Sequence, residues 1–254
     1  MTPAHDTHVL QSGYTWGRAD VRQRGTIRGM AESPGAIRDR IARRAQTRRE
    51  KLVDVGIHAL AVPAAIAGTV VLIVVAALGA DWLRLISVVL YGIGLIGMLT
   101  GSAAYNIVEH PTRKDIMRRL DHAGIFVMIA GTYTPFTLVS VGGWTGAVYC
   151  ASMWLAASAG IVMKLSWPRR FERVGIGLYL IMGWSVLVVV PVLAERLRMA
   201  VLLLLLGGGI LYTVGVGFHL ARRLPYHNAI WHAFVLLAAS THYVAVLEGV
   251  ARGG

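Results

Sequence analysis

The chain has a single cysteine, Cys150, inside an apolar run, so no internal disulfide can form and thiols carry no information about compartment. Acidic residues are scarce, 13 Asp+Glu against 25 Lys+Arg, and charged residues make up only 15% of the chain, where a soluble domain carries about 25%. The first 50 residues hold no apolar stretch long enough for a signal-peptide core, so insertion is expected to rely on later segments. No apolar segment carries polar residues along its whole length, which argues against a pore lining. The connections between segments are short, which argues against a receptor with large ligand-binding loops.

What the sequence has in abundance is apolar residues, 56% of the total, in long runs. Several reach the roughly 20 residues that a helix needs to cross a hydrocarbon core of about 30 Å. The expected fold is therefore all-α: a polytopic seven-transmembrane helical bundle in the cell membrane. The spans fall at about 54–78, 84–107, 119–139, 144–163, 174–193, 199–220 and 228–247. Pro63, Pro135 and Pro191 are expected to kink their helices. Gly92, Gly94 and Gly97 in the second span, and Gly207, Gly208, Gly209, Gly215 and Gly217 in the sixth, let helix backbones approach closely.

The surplus of positive charge invites a nucleic-acid reading, but its placement speaks for topology instead. Eleven basic residues lie in 1–51, and the others cluster at span ends. With the amino terminus inside, 21 of the 25 fall on inner segments, leaving Arg84, Arg196, Arg198 and Arg252 outside. This asymmetry places the amino terminus in the cytoplasm and the carboxyl terminus outside. Residues 1–51 read as a basic cytoplasmic tail ahead of a membrane domain at 52–254. Within the tail, Ser33-Pro34 can open a short interfacial helix that meets anionic headgroups with Arg38, Arg40, Arg43, Arg44, Arg48 and Arg49. A solvated tail that only sets topology fits equally well. Membrane lipids are the expected partners, and nucleic acid is not.

Polar groups inside spans are costly and usually face the bundle interior. Asp121 opens the third span. Ser102 and Asn106 lie four apart near the end of the second, Asn228 and His232 at the start of the seventh, and Asp54 and His58 at the start of the first. A spacing of four puts each pair on one helix face. His219 ends the sixth span. The alternating topology sets all of these at one depth, in a shared polar chamber, whereas His242, about 15 Å further along its helix than His232, belongs to another layer. Simpler roles also fit several of them: His58 and His219 as interfacial histidines, Ser102 bonded back to its own helix, Asp121 as a cap or paired with Arg118 or Arg119. His232 is the strongest candidate for more than packing.

The stretches GSAAYN (101–106), RLDHAGIFVMIAGTYTPF (119–136) and NAIWHAFVLLAASTHYVAVL (228–247), with the Glu50 to His58 segment, resemble the hemolysin III family, part of the progestin and adipoQ receptor class. The resemblance implies a zinc ion held by three histidines, a nearby aspartate and serine, and a fold shared with alkaline ceramidases. On that pattern Ser102 matches the serine, Asp121 the aspartate and His232 one metal ligand. Asn106 and Asn228 occupy the other two ligand positions. A catalytic zinc keeps three ligands from Cys, His or carboxylate, and neutral amides are poor replacements. His227 points elsewhere on its helix, and His110 precedes a proline that disfavours helix there.

No cofactor is therefore expected, zinc being the alternative. The favoured expectation is a non-catalytic hemolysin III-like protein with a degenerate zinc site, in lipid binding or membrane homeostasis. One alternative is a metal-dependent intramembrane hydrolase of ceramidase-like amide or ester bonds, with Asp121 as general base and Ser102 polarising the carbonyl. The other is the pore-forming cytolysin of the family name.

Overall fold

The computed structural model describes residues 47–167 and 171–251. Most of the basic tail, including the possible interfacial helix, lies outside the described residues, as do Arg169, Arg170 and Arg252. Among the described residues there is no strand. The elements are α1 (Arg48–Leu78), α2 (Trp82–Ile107), α3 (Pro111–Pro135, extended by a π-helical turn over Phe136–Val141), α4 (Gly143–Ser166), α5 (Glu172–Trp184, with a 3₁₀ turn over Ser185–Val188), α6 (Val190–Arg196), α7 (Met199–Leu220) and α8 (His227–Val246, with a π-helical turn over Leu247–Ala251).

Six of these segments are long and apolar enough to cross a bilayer. α5 and α6, bent by 53° at their junction, make a seventh if taken as one broken span. Large apolar side chains face outward, among them Leu60 at 76% exposure and Leu155 at 74%. In water an outer surface of this kind would far exceed the apolar patches that soluble monomers tolerate.

Caps explain where helices begin. Thr47 Oγ1 accepts from the Glu50 amide at 3.3 Å, and the Thr47 amide donates to Glu50 Oε2 at 2.6 Å, a reciprocal capping box. It starts α1 six residues before the expected span, which takes Glu50 and Asp54 into the bundle at 3% and 1% exposure. Asp81 caps α2 through the amides of Leu83 and Arg84. α3 also starts early, with Pro111 in its first turn, where the missing N–H costs nothing. Its charged opening is held by Asp115, which accepts from Arg118 at 3.1 Å and Arg119 at 2.9 Å. α1 runs through Pro63 as one helix, whereas Pro191 sits at the α5–α6 break.

That break frees carbonyls which lipid could not satisfy. Tyr133 of α3 donates to the carbonyls of Met182 and Gly183, and Tyr149 of α4 donates to that of Ser185. The irregular backbone is thus stabilised by side chains from two neighbouring helices.

Glycines set the closest helix approach. A Cβ on Gly94 would lie 3.1 Å from the Val127 carbonyl oxygen, one on Gly131 3.1 Å from that of Leu90, and one on Gly124 3.1 Å from Met98 Cα. α2 and α3 therefore meet backbone to backbone along several turns. α8 closes the bundle by packing against both α7 and α1.

Glu50 also joins the first and last helices, because its Oε1 accepts the Tyr226 amide at 2.9 Å, just before α8. Glu50→Ala removes the side-chain half of the capping box and that acceptor together, leaving the Thr47 hydroxyl cap in place, and should cost about 2 kcal/mol. A thermal midpoint several degrees lower, with most of the loss restored in Glu50→Gln, is the expected outcome in detergent.

A polar cluster as the candidate functional site

Four helices deliver polar side chains to one place. Asp54 and His58 come from α1, one turn apart. Ser102 comes from the last turns of α2, Asp121 from α3 and His232 from the second turn of α8. His232 Nδ1 lies 2.8 Å from Asp54 Oδ1, and His232 Nε2 lies 3.3 Å from Ser102 Oγ. Since an ionised carboxylate can only accept, Nδ1 carries the proton and Nε2 presents its lone pair, to which the Ser102 hydroxyl can donate. His58 donates from Nδ1 to the Asp54 backbone carbonyl at 2.8 Å, and its ring meets that of His232 edge-on, with centroids 4.6 Å apart. Asp121 is hydrogen-bonded to Ser102 and lies within electrostatic reach of His232, so its carboxylate and His232 Nε2 are alternative acceptors for the single Ser102 hydroxyl proton. The close helix approach sets this proximity, since a Cβ on Gly101 would lie 3.6 Å from Asp121 Cα.

Ser102 behaves unlike its neighbours. Ser87, Thr100, Thr132, Thr134 and Ser240 each donate to the carbonyl four residues back, the usual habit of hydroxyls in membrane helices. Ser102 instead reaches across to another helix.

Of the other chamber candidates, Asn106 lies one turn beyond Ser102, with its Nδ2 buried and without a hydrogen-bond partner. Asn228 interacts with its neighbour His227. His219 packs against Trp231 with centroids 5.3 Å apart, and its Nδ1 is also buried without a partner. Asp121 lies ten residues inside α3, so it is not the helix cap; that position belongs to His110. The spacing of Asp54 and His58 placed Asp54 in the chamber, but its pairing with His232 was not readable from the sequence.

The residues present do not suit a tightly held zinc ion. The one imidazole at a family ligand position has both nitrogens engaged, and the buried Asn106 amide nitrogen is a donor with no lone pair to offer. Among the described residues no group of three or more His, Cys, Asp or Glu side chains is placed to hold a metal.

Beside the cluster lies an apolar cavity of about 450 Å³ between α3, the α5–α6 break, α7 and α8. Its walls include Phe136, Leu187 and Leu202, and it reaches Met98, Ile125 and Trp231. Met98 and Ile125 are each one turn from a site residue, Ser102 and Asp121, and Trp231 adjoins His232.

Apolar helices, an outward apolar surface and a buried polar cluster at one end define an all-α, multi-pass protein of the cell membrane. The chain belongs to the haemolysin-III related family, whose pattern it matches over residues 46–243. It is 36% identical over 202 residues to the hemolysin-3 homolog of Bacillus subtilis (strain 168), covering 79% of this chain and 94% of that one. It is 33% identical over 209 residues to hemolysin-3 of Bacillus cereus, covering 82% and 95%. With the monocyte to macrophage differentiation factor of Homo sapiens it shares 28% identity over 203 residues, covering 77% and 82%.

Proposed function

We propose that this hemolysin III family member works without a metal and binds a single-chain lipid. The chain of the lipid lies in the apolar cavity and its polar linkage at Ser102, Asp121 and His232. The observation that carries this reading is the nearness of the two: the cavity reaches Met98, Ile125 and Trp231, which lie one turn or less along their helices from Ser102, Asp121 and His232. The cavity falls within the roughly 300–1,000 Å³ of small-molecule sites, and its walls are mostly apolar, as such sites usually are. A ligand with a long apolar body and one hydrogen-bonding end matches that division. The basic residues near the cluster support a cytoplasmic position for this end of the bundle, within reach of lipids of the inner leaflet.

Gly209 lines the cavity, and a Cβ there would meet only the Trp184 ring, at 4.0 Å. Gly209→Trp therefore fills the space without striking backbone. Binding of a fluorescent fatty acid, followed by titration in detergent, should weaken at least tenfold (about 1.4 kcal/mol) while the thermal midpoint stays near that of the parent. Unchanged binding in a folded Gly209→Trp protein would remove the cavity from the account.

A further inference from the structure

We propose that the site is also a metal-independent esterase, with Ser102 as the nucleophile that takes the acyl group from a single-chain lipid ester. The proposal rests on the lipid-binding reading above, which brings the ester linkage to the cluster. The geometry that points to it is the series Asp54, His232, Ser102. A fully buried carboxylate receives Nδ1–H at 2.8 Å, the opposite ring nitrogen is an acceptor, and a serine hydroxyl lies 3.3 Å beyond it. Hydroxyl, imidazole and carboxylate in this order are the parts of a serine nucleophile with its base and orienting group, a constellation recognised by geometry on unrelated folds. Spacings this long are common before substrate binds and tighten in the reacting complex.

The steps balance without a metal. Ser102 Oγ attacks the ester carbonyl carbon as His232 Nε2 takes its proton, and Asp54 steadies the resulting imidazolium through Nδ1–H. The carbon–oxygen bond to the alcohol breaks, and the alcohol leaves with the proton from Nε2, giving an acyl-Ser102 ester. Water then attacks that ester, giving its proton to Nε2. The fatty acid departs and Ser102 recovers its hydrogen. The oxyanion of each tetrahedral stage needs a donor, and the Asn106 Nδ2 group supplies one: buried, unpartnered and one turn from Ser102 on the same helix face. The carboxylate of Asp121 would repel an oxyanion, so it suits the incoming water, which needs an acceptor. A purely structural Ser102 would bond back four residues along its own helix, as eight other Ser and Thr hydroxyls among the described residues do. Asn106 Nδ2 is one of several buried polar atoms without a partner among the described residues, and it lies one turn from Ser102 on the same helix. Asp54 acts through His232 and is a positioning residue; Ser102, His232 and Asn106 would touch the reacting atoms.

The test uses the full chain in detergent with a metal chelator present. It is treated with a long-chain alkyl fluorophosphonate and mapped by peptide mass, and hydrolysis of umbelliferyl oleate is followed in parallel. The expected result is a phosphonyl adduct on Ser102 and turnover that persists in chelator. Both should be lost in Ser102→Ala, and kcat should fall about 100-fold or more, with KM little changed, in Asp54→Asn and Asn106→Ala. Fluorescent fatty-acid binding is measured on the same preparations. Retained binding with no Ser102 adduct would overturn the esterase and leave lipid binding standing. Absence of binding and adduct together would overturn both. Turnover abolished by the chelator, or a kcat unaltered in Asp54→Asn, would also overturn the proposed chemistry.

Discussion

Substituting His232 with alanine should lower stability by about 2–3 kcal/mol, more than any other single truncation in the polar cluster. The imidazole ties three helices together: its Nδ1–H goes to Asp54 of α1, its Nε2 faces Ser102 of α2, and its backbone belongs to α8. Asp54 is 1% exposed, so the carboxylate that loses this partner cannot turn to bulk water in compensation. The edge contact with His58 is lost as well. For a chain of this size the midpoint should fall by roughly 5–10 °C in a fixed detergent. The origin of the loss can be checked by a double-mutant cycle. If it lies in the pair, His232→Ala should cost much less in an Asp54→Leu background, because the buried charge is then gone. Equal costs in both backgrounds would show that the two side chains do not cooperate.

The second large effect is expected away from any polar atom. Gly124→Leu places an isobutyl group where even a Cβ would stand 3.1 Å from Met98 Cα. Backbone cannot yield as a flexible side chain can, so α2 and α3 must separate. Overpacking of this kind costs about 3 kcal/mol, and lipid adds no hydrophobic force to hold the helices together. Gly124 is three residues after Asp121 on the same face of α3, so the displacement also draws Asp121 away from Ser102. A lower folded yield, a lower midpoint and weaker fatty-acid binding should therefore appear together. Gly97→Ala is the control: a Cβ there meets nothing within 4 Å, and its midpoint should match the parent's.

Much of the architecture was legible because the bilayer demands a minimum apolar length, and α2, α4, α7 and α8 lie within a few residues of the expected bounds. The early start of α3 escaped that criterion. Its first turns are charged, and it is Pro111 with the Asp115–Arg118–Arg119 pairs, rather than hydropathy, that makes them helical. The α5–α6 break was legible only as Pro191. A 53° bend in lipid depends on Tyr133 and Tyr149, donated by helices that are distant in sequence.

For the site, alternation of the spans was enough to set Ser102, Asp121 and His232 at one depth. It could not show which polar groups bond to which. The pairing of Asp54 with His232 spans 178 positions and depends on how α8 packs on α1. The partner of Ser102 was equally hidden, since a helical serine satisfies itself locally unless tertiary structure offers something better.

On the proposed metal-independent reading, His232 is clamped between Asp54 and Ser102 and holds no metal. Elemental analysis of protein purified without chelator tests it most directly, with thermal midpoints taken before and after chelation. Zinc well below one ion per chain and an unmoved midpoint are predicted. One zinc per chain, removed by chelator together with several degrees of stability, would contradict the account.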